Sequence, residues 1–543
     1  MRERLKRERW LLILLAATAL LLRALAFFRY RFDSDEQQHL HVVWGWTAGL
    51  VQYRDVFDNH APLFHLSMAP LLAMIGERAD ILLWMRIPML VLFAVVLWAT
   101  YDLARRVWDG PVAAWAVVLL ALFPPFFLKS LEFRIDNLWN ALWMLALVGL
   151  VRGWRPFAIG LLLGCALAVS MKTTLLVATV LGAGVIAWWF RGRRAAGEGL
   201  QASGFWAVSP ESRQVPDARR LKPIRATIEA LAGFALVPAA LAIYFLAVGA
   251  WDELVYCNFV FNGRLALMRK ELWIGRVAFP FLFAGVVWAA WRFRAATENA
   301  WRYFFAIAIG VYTVTLTGFW LLISPRDFLA LMPLVAMFVA AALQFRGRAI
   351  AALLSIAALW YYADRFENNT DWHITMMNQA LRLSRPGEML LDHKGETIFR
   401  RRPFYYALEV IARTQLARGI IADTIPEDVV RTRTYVAQAD GAPWPPRGRA
   451  FLSENFLNLG RLRAAGQAIR EDGSFSIAIP GEYMIVSAAG EVRGGVLDGT
   501  LYTGARVLSA GAHRYEGAKD VVVLWAPAFR RGHSPFHLRD LEF

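Results

Sequence analysis

The stretch Asp33-Ser34-Asp35-Glu36-Gln37-Gln38-His39-Leu40-His41 sets acids and imidazoles side by side, directly after a long apolar run. A carboxylate placed here can take a proton from a hydroxyl as that oxygen attacks a carbon. Asp33 and Asp35 share a side if the backbone is extended. If a helix starts at Ser34, Asp35 and His39 share a face at i, i+4. Either arrangement can hold a divalent cation, Mg²⁺ or Mn²⁺, that neutralises a leaving phosphate. Asp-x-Asp is equally compatible with no metal. The same residues also read as a capping box, with Asp33 as N-cap and Glu36 at N3, and the two readings can hold together.

Three cations complement these acids. Arg134, Lys172 and Arg326 each lie in a short loop between apolar segments. Arg134 suits bidentate contact with a phosphate; the plainer reading is a pair with Asp136, or snorkelling. Lys172 follows an apolar run and precedes Thr173-Thr174, where a lysine needs water, a phosphate or a structural acid. Arg326 opens an apolar segment, so it serves a bound phosphate or a lipid headgroup.

The elements that position these residues are membrane helices. The chain has 543 residues, 58% of them hydrophobic and 19% charged, with 59 Lys+Arg against 43 Asp+Glu. A soluble chain of this length cannot hide so much apolar surface. The basic residues gather at the ends of apolar runs, the pattern of cytoplasmic loops and not of a nucleic-acid face. The two cysteines, Cys165 and Cys257, give neither a disulfide nor a zinc-site spacing. At the start, Trp10 to Phe28 reads as a retained first helix with its N-terminus inside; Ala24-Leu25-Ala26 offers the rival reading of a cleaved signal peptide.

About eleven transmembrane helices are predicted, near 10–29, 81–103, 112–129, 136–151, 156–171, 173–190, 226–249, 276–291, 303–323, 326–344 and 348–363. The charges alternate as this topology demands. Arg105-Arg106, Arg152 with Arg155, Arg191 with Arg193-Arg194, Arg292 with Arg294, and Arg346 with Arg348 fall inside. Glu132, Arg134 and Asp136, then Lys172, then Arg326 and Asp327 fall outside, on the same side as the acidic stretch.

Three extramembrane regions follow. The first outer loop, 30–80, carries two predicted interfacial helices, Gln37 to Leu50 with Trp44 and Trp46, and Ala61 to Ile75 with Pro62 near its first turn. The cytoplasmic insert 191–225 reads as a flexible basic loop. Residues 364–543 change character: a short strand at Met389 to Asp392, a helix from Tyr405 to Arg418, then short strands divided by Pro480-Gly481, Gly494-Gly495 and Ala510-Gly511. The fold class expected is a polytopic α-helical membrane protein, residues 1–363, with a C-terminal extracytoplasmic α+β or β-sandwich domain. His39, His41, His60 and His65 read as interfacial packing, Asp55 and Asp58 as further acids or helix caps, and Arg23 as a bundle-facing or snorkelling cation. There is no Walker A loop, dinucleotide fingerprint or serine-hydrolase elbow.

On these residues the chain resembles the GT-C fold glycosyltransferases, the broad group containing protein O-mannosyltransferases and lipid A aminoarabinose transferases. The acidic stretch at 33–41 is followed by Tyr53-Arg54-Asp55-Val56-Phe57-Asp58-Asn59-His60-Ala61-Pro62-Leu63-Phe64-His65. Glu132-Phe133-Arg134-Ile135-Asp136 and Ser324-Pro325-Arg326-Asp327-Phe328-Leu329 match further outer-loop motifs. The resemblance covers residues 1–363. It implies transfer of a sugar from a polyprenyl-phosphate donor to an extracytoplasmic glycan, lipid or protein acceptor, by single displacement with inversion. Asp35 or Glu36 would be the base, Asp33 its support or a metal ligand, and Arg134, Lys172 and Arg326 the phosphate-binding cations. Several relatives carry a Lys-Pro pair where this chain reads His60-Ala61-Pro62, so phosphate contact there would rest on the charge of His60. The location implied is a bacterial inner membrane. A transporter or flippase of a lipid-linked or anionic solute, and a non-catalytic scaffold for envelope glycan, are the competing classes; transporters place polar groups at mid-membrane and repeat internally, and this chain does neither.

Overall fold

The computed structural model of the protein describes residues 2–197, 223–264, 281, 284–285, 288, 299–320, 323–439 and 444–538. The chain forms two compact units. The first comprises Met1–Tyr30, His60–Phe64 and Arg86–Glu367; the second comprises Arg31–Asn59, His65–Met85 and Asn368–Phe543.

The first unit is helical. Its helices are built from Leu, Ala, Val and Phe, and several start with proline in the first turn, where a missing N–H costs nothing. Among the described residues four helices are long and apolar enough to cross a membrane: Lys6–Arg29, Ile81–Val107, Ile224–Ala247 and Ala300–Phe319. Shorter apolar helices include Gly110–Leu122, Pro156–Val169, Thr173–Trp189 and Met332–Ala342. Leu20, Leu21, Leu181, Leu231 and Ile243 stay exposed, which in a helix of this kind is a lipid-facing surface.

Two predicted spans are broken. The segment 112–129 is two helices, Gly110–Leu122 and Pro124–Lys129, because Pro124 holds Phe123 extended at φ −67°, ψ 115°. The segment 326–344 opens with a 3₁₀ turn, Pro325–Phe328, and becomes α-helical only at Met332–Ala342. Most of the predicted span 276–291 and of the insert 191–225 lies outside the described residues.

Arg23, in the first helix, is buried. Its guanidinium donates to the carbonyl of Phe127 and, at 2.8 Å, to that of Ser130, and it lies 4.2 Å from the centre of the Phe93 ring. It therefore answers backbone carbonyls left open where the short helix Pro124–Lys129 ends. The helices Pro156–Val169 and Pro223–Ala247 meet backbone to backbone. A Cβ on Gly160 would lie 2.0 Å from the Ala230 carbonyl oxygen, on Gly164 2.3 Å from that of Phe234, and on Gly233 2.1 Å from that of Phe157. Only glycine permits this approach.

The second unit joins the helix Ser34–Thr47 to a C-terminal β-rich region. Its helices Asp371–Leu383, Val410–Ala417, Ile425–Arg431 and Pro446–Asn455 alternate with the first strands. One sheet then runs, in spatial order, Leu390–Leu391, Val436–Gln438, Leu462–Ala468, Val522–Trp525, Gly481–Ser487 and Arg506–Leu508. Only its first pair is parallel. Val522–Trp525, central and antiparallel to both neighbours, is buried along its whole length, as its Val-Val-Leu-Trp sequence requires. A second, four-stranded sheet is formed by Ser474–Ile477, Gly511–Glu516, Val496–Leu497 and Thr500–Leu501. The predicted helix 405–418 is shorter, Val410–Ala417.

Candidate active site

The acidic stretch folds as a capped helix start. Asp33 is extended (φ −80°, ψ 139°), and its Oδ1 accepts from the Asp35 N–H at 3.1 Å. Glu36 Oε1 accepts from the Asp33 N–H at 2.9 Å, closing the box. This separates the acids. Glu36 is fully buried and committed to the cap, whereas the Asp35 side chain keeps 29% exposure.

Asp35 meets a cation that the sequence reading missed. The Lys394 ammonium donates to Asp35 Oδ1 at 2.5 Å. Lys394 lies in a tight loop built around Asp392. The Asp392 carboxylate accepts from the Gly395 N–H at 2.7 Å, the Thr397 N–H at 2.8 Å and the Thr397 hydroxyl at 2.6 Å, and lies 2.8 Å from Arg402 Nε. Burial opposes its charge, but Arg402 and these donors hold it below the usual carboxylate range. Gly395 has φ +100°, and a Cβ there would lie 2.6 Å from the His41 side chain. His41 in turn hydrogen-bonds the Ile398 carbonyl at 2.7 Å. The loop thus seats on the helix Ser34–Thr47 at the glycine and delivers Lys394 to the helix start. Nearby Glu396 is pushed up to about 7 by burial and by the charge of Asp392.

A divalent cation on Asp33 and Asp35 fits poorly. One oxygen of Asp33 is the helix cap, and an ammonium already sits on Asp35 Oδ1. Among the described residues, the group of donors close enough to share a metal is a different one: His39, Asp58 and His65.

In the first unit the three predicted cations are held by acids. Lys172 Nζ lies 2.8 Å from Asp136 and 2.6 Å from Asp327. Arg134 pairs with Asp136 at 3.3 Å. Arg326 Nε lies 3.1 Å from Glu132, which also receives Lys129 at 2.6 Å. Asp136, Asp327 and Glu132 are almost fully buried, so these are low-dielectric pairs. The loops 129–136, 170–173 and 324–327 thus carry two ionic clusters, Arg134–Asp136–Lys172–Asp327 and Lys129–Glu132–Arg326, with Arg326 and Asp327 adjacent in the chain. Local hydrogen bonds set their members: Asn137 donates to the Glu132 carbonyl at 2.7 Å, Asp327 accepts from the Ser324 N–H at 2.6 Å, and Tyr312 donates to the Asp327 carbonyl at 2.7 Å. Lys129, Glu132 and Asp327 complete a set that sequence reasoning had only partly assembled. His60 is half-buried just ahead of the helix Leu63–Ile75.

Residues 59–199 match the family described as dolichyl-phosphate-mannose-protein mannosyltransferase. No curated protein matches the chain in sequence. Among solved structures, ArnT from Cupriavidus metallidurans bound to undecaprenyl phosphate superposes with a TM-score of 0.51 at 11% identity, over 83% of this chain and 97% of that one. The archaeal oligosaccharyltransferase AglB from Archaeoglobus fulgidus, in complex with an inhibitory peptide and a dolichol-phosphate, gives a TM-score of 0.45 at 11% identity, over 80% of this chain and 69% of that one. With the fold of ArnT and a mannosyltransferase signature over residues 59–199, the chain resembles the GT-C fold glycosyltransferases.

Proposed function

We propose that the protein is a membrane glycosyltransferase that moves a sugar from a polyprenyl-phosphate carrier to an extracytoplasmic glycan, lipid or protein. The observation that carries this reading is the pair of ionic clusters in which Arg134, Lys172 and Arg326 are held by buried acids. Preorganised cations contribute most where charge develops, here on the departing phosphate. The family matched at residues 59–199 and the undecaprenyl phosphate held by ArnT support the donor class.

In this reaction an acceptor oxygen bonds to the anomeric carbon and the bond from that carbon to the phosphate oxygen breaks, with inversion. The acceptor's proton passes to Asp35. The polyprenyl phosphate leaves as an anion beside the cations. Asp35 is the better base of the two acids left open by the sequence, because Glu36 is buried in the cap. Asp33 sets the start of the helix, Lys394 orients the Asp35 carboxylate, and His60 supplies a donor-side contact. The arrangement proposed is about eleven membrane helices in residues 1–363, a bacterial inner membrane, an inside N-terminus and an extracytoplasmic domain from 364 to 543.

The test uses purified protein in lipid, a panel of radiolabelled polyprenyl-phosphate sugars and a membrane extract as acceptor. Transfer of label by wild type, abolished by Asp35→Asn with donor binding intact, is expected. A donor that binds and crosses the bilayer unchanged would replace this reading with transport. A panel of which no member binds would replace it with a scaffold.

A further inference from the structure

We propose that His39, Asp58 and His65 form a buried site for a divalent transition cation of the zinc type, separate from the carboxylates at the helix start. All three residues have no exposed surface. They come from separate parts of the second unit. His39 lies in the helix Ser34–Thr47. Asp58 follows a tight turn in which Tyr53 adopts φ 73°, its N–H donates to the Val56 carbonyl at 2.8 Å, and Gln52 bridges Val56. His65 lies in the helix Leu63–Ile75.

The three side chains are close enough to share one ion. His39 Nδ1 lies 3.0 Å from Nε2 of His65, and Asp58 Oδ2 lies 3.4 Å from the other nitrogen of that ring, Nδ1; with one donor atom taken from each residue, the three fall within 4.8 Å of one another. Zinc–nitrogen and zinc–oxygen bonds of roughly 2.0–2.2 Å put neighbouring tetrahedral ligands about 3.4 Å apart. Because one nitrogen of His65 serves the ion, binding requires the His65 ring or the Asp58 carboxylate to turn so that the three donors converge. Two imidazoles with one carboxylate select zinc-like ions over magnesium or calcium, which take oxygen shells. Three protein ligands leave one tetrahedral position for a further donor.

An outer shell is already in place. Gln52 Nε2 donates to Asp58 Oδ2 at 2.8 Å, and Trp46 Nε1 donates to Gln52 Oε1 at 2.8 Å. Such contacts fix the orientation of a ligating carboxylate and are a regular part of metal sites. The competing description is an ion-free relay, in which His39 hydrogen-bonds His65 and His65 hydrogen-bonds Asp58. The ion adds a role that the relay lacks. It clips the helix carrying Asp35, four residues before His39, to the helix Leu63–Ile75.

The full-length, tag-free protein in detergent decides between them without reference to activity. After loading with a small excess of Zn²⁺ and gel filtration, elemental analysis is expected to find about one zinc per chain. Co²⁺ in its place is expected to give the strong visible absorption of a four-coordinate ion. His39→Ala/His65→Ala should lose the bound metal. A wild type that retains less than about a tenth of an equivalent and gives only the weak spectrum of six-coordinate Co²⁺ would leave the hydrogen-bond relay as the correct description. So would undiminished metal in the double variant, since the ion would then lie elsewhere. If the double variant fails to fold, the Co²⁺ spectrum of the wild type decides alone.

Discussion

The Lys394 ammonium rests on Oδ1 of Asp35 across 359 residues of chain. The contact lies at the start of a helix, where the backbone dipole already favours negative charge. With Gly395 against His41, the loop holds the ammonium at the Asp35 carboxylate. If Asp35 is the base, as proposed, Asp35→Asn should lower kcat by about 10²–10⁴-fold. Lys394→Met should cost about tenfold, the scale at which an outer contact supports a reacting group, and fall mainly on kcat. Lys394→Arg should recover part of the loss. Steady-state transfer assays check this; equal rates for wild type and Lys394→Met would remove the lysine from the mechanism.

Glu36 offers a contrast with its neighbour. Its side chain closes the capping box onto the Asp33 N–H. Glutamine can accept the same hydrogen bond, so Glu36→Gln should retain most transfer activity. Glu36→Ala should lose about 1 kcal/mol of stability with the cap. Loss of turnover in a well-folded Glu36→Gln protein would reverse the assignment of the base.

Glu396 sets a pH dependence of stability. Its folded value of about 7 lies above the ordinary carboxylate value. As pH rises from the ordinary value to about 7, the unfolded chain releases this proton while the folded chain keeps it. The contribution is therefore present in full below the unfolded value, is lost on the way up to about 7, and is level above that. Glu396→Gln removes the slope. Measured by thermal unfolding, its advantage over wild type should grow between about pH 5 and pH 7 and then stay constant; a difference that ignores pH would contradict the buried, protonated state.

Lys172 holds Asp136 and Asp327 together at the centre of its ionic cluster. Lys172→Met removes the ammonium shared by two buried carboxylates, leaving Asp136 with Arg134, at a cost of about 3–5 kcal/mol. Adding Asp136→Asn and Asp327→Asn should return much of that stability without restoring donor binding. Thermal unfolding and a donor-binding assay run on the same preparations separate the two effects. Full donor binding by the stable triple variant would exclude the lysine as a phosphate ligand.

What the sequence made legible follows from how local each feature is. The capping box is complete within four residues, so Asp33 and Glu36 could be paired by spacing alone. Arg134, Lys172 and Arg326 stood out because each is polar against an apolar background, and a buried cation in such surroundings must find acids. The turn at Pro480-Gly481 marks where the strand Gly481–Ser487 begins, and Ala510-Gly511 does the same for Gly511–Glu516. The break at Pro124 was written in the chain but lost in the average hydropathy of its flanks. Lys394, and the meeting of His39 with Asp58 and His65, had no such signal. Neither spacing follows a helix or turn period, and both are created by tertiary contacts.

The glycine contact between Pro156–Val169 and Pro223–Ala247 bears on how this protein is made. The two helices are separated in the chain by a third, Thr173–Gly197. During synthesis the face of Gly160 and Gly164 must therefore wait in lipid until Gly233 arrives. Lipid tails are as apolar as the partner helix, so close packing and not water exclusion makes the pairing favourable. Assembly of this part of the bundle is ordered in time. A bulky residue at any one of the three glycines would leave the earlier helix inserted but unpaired, open to the cell's quality-control proteases before the chain is finished.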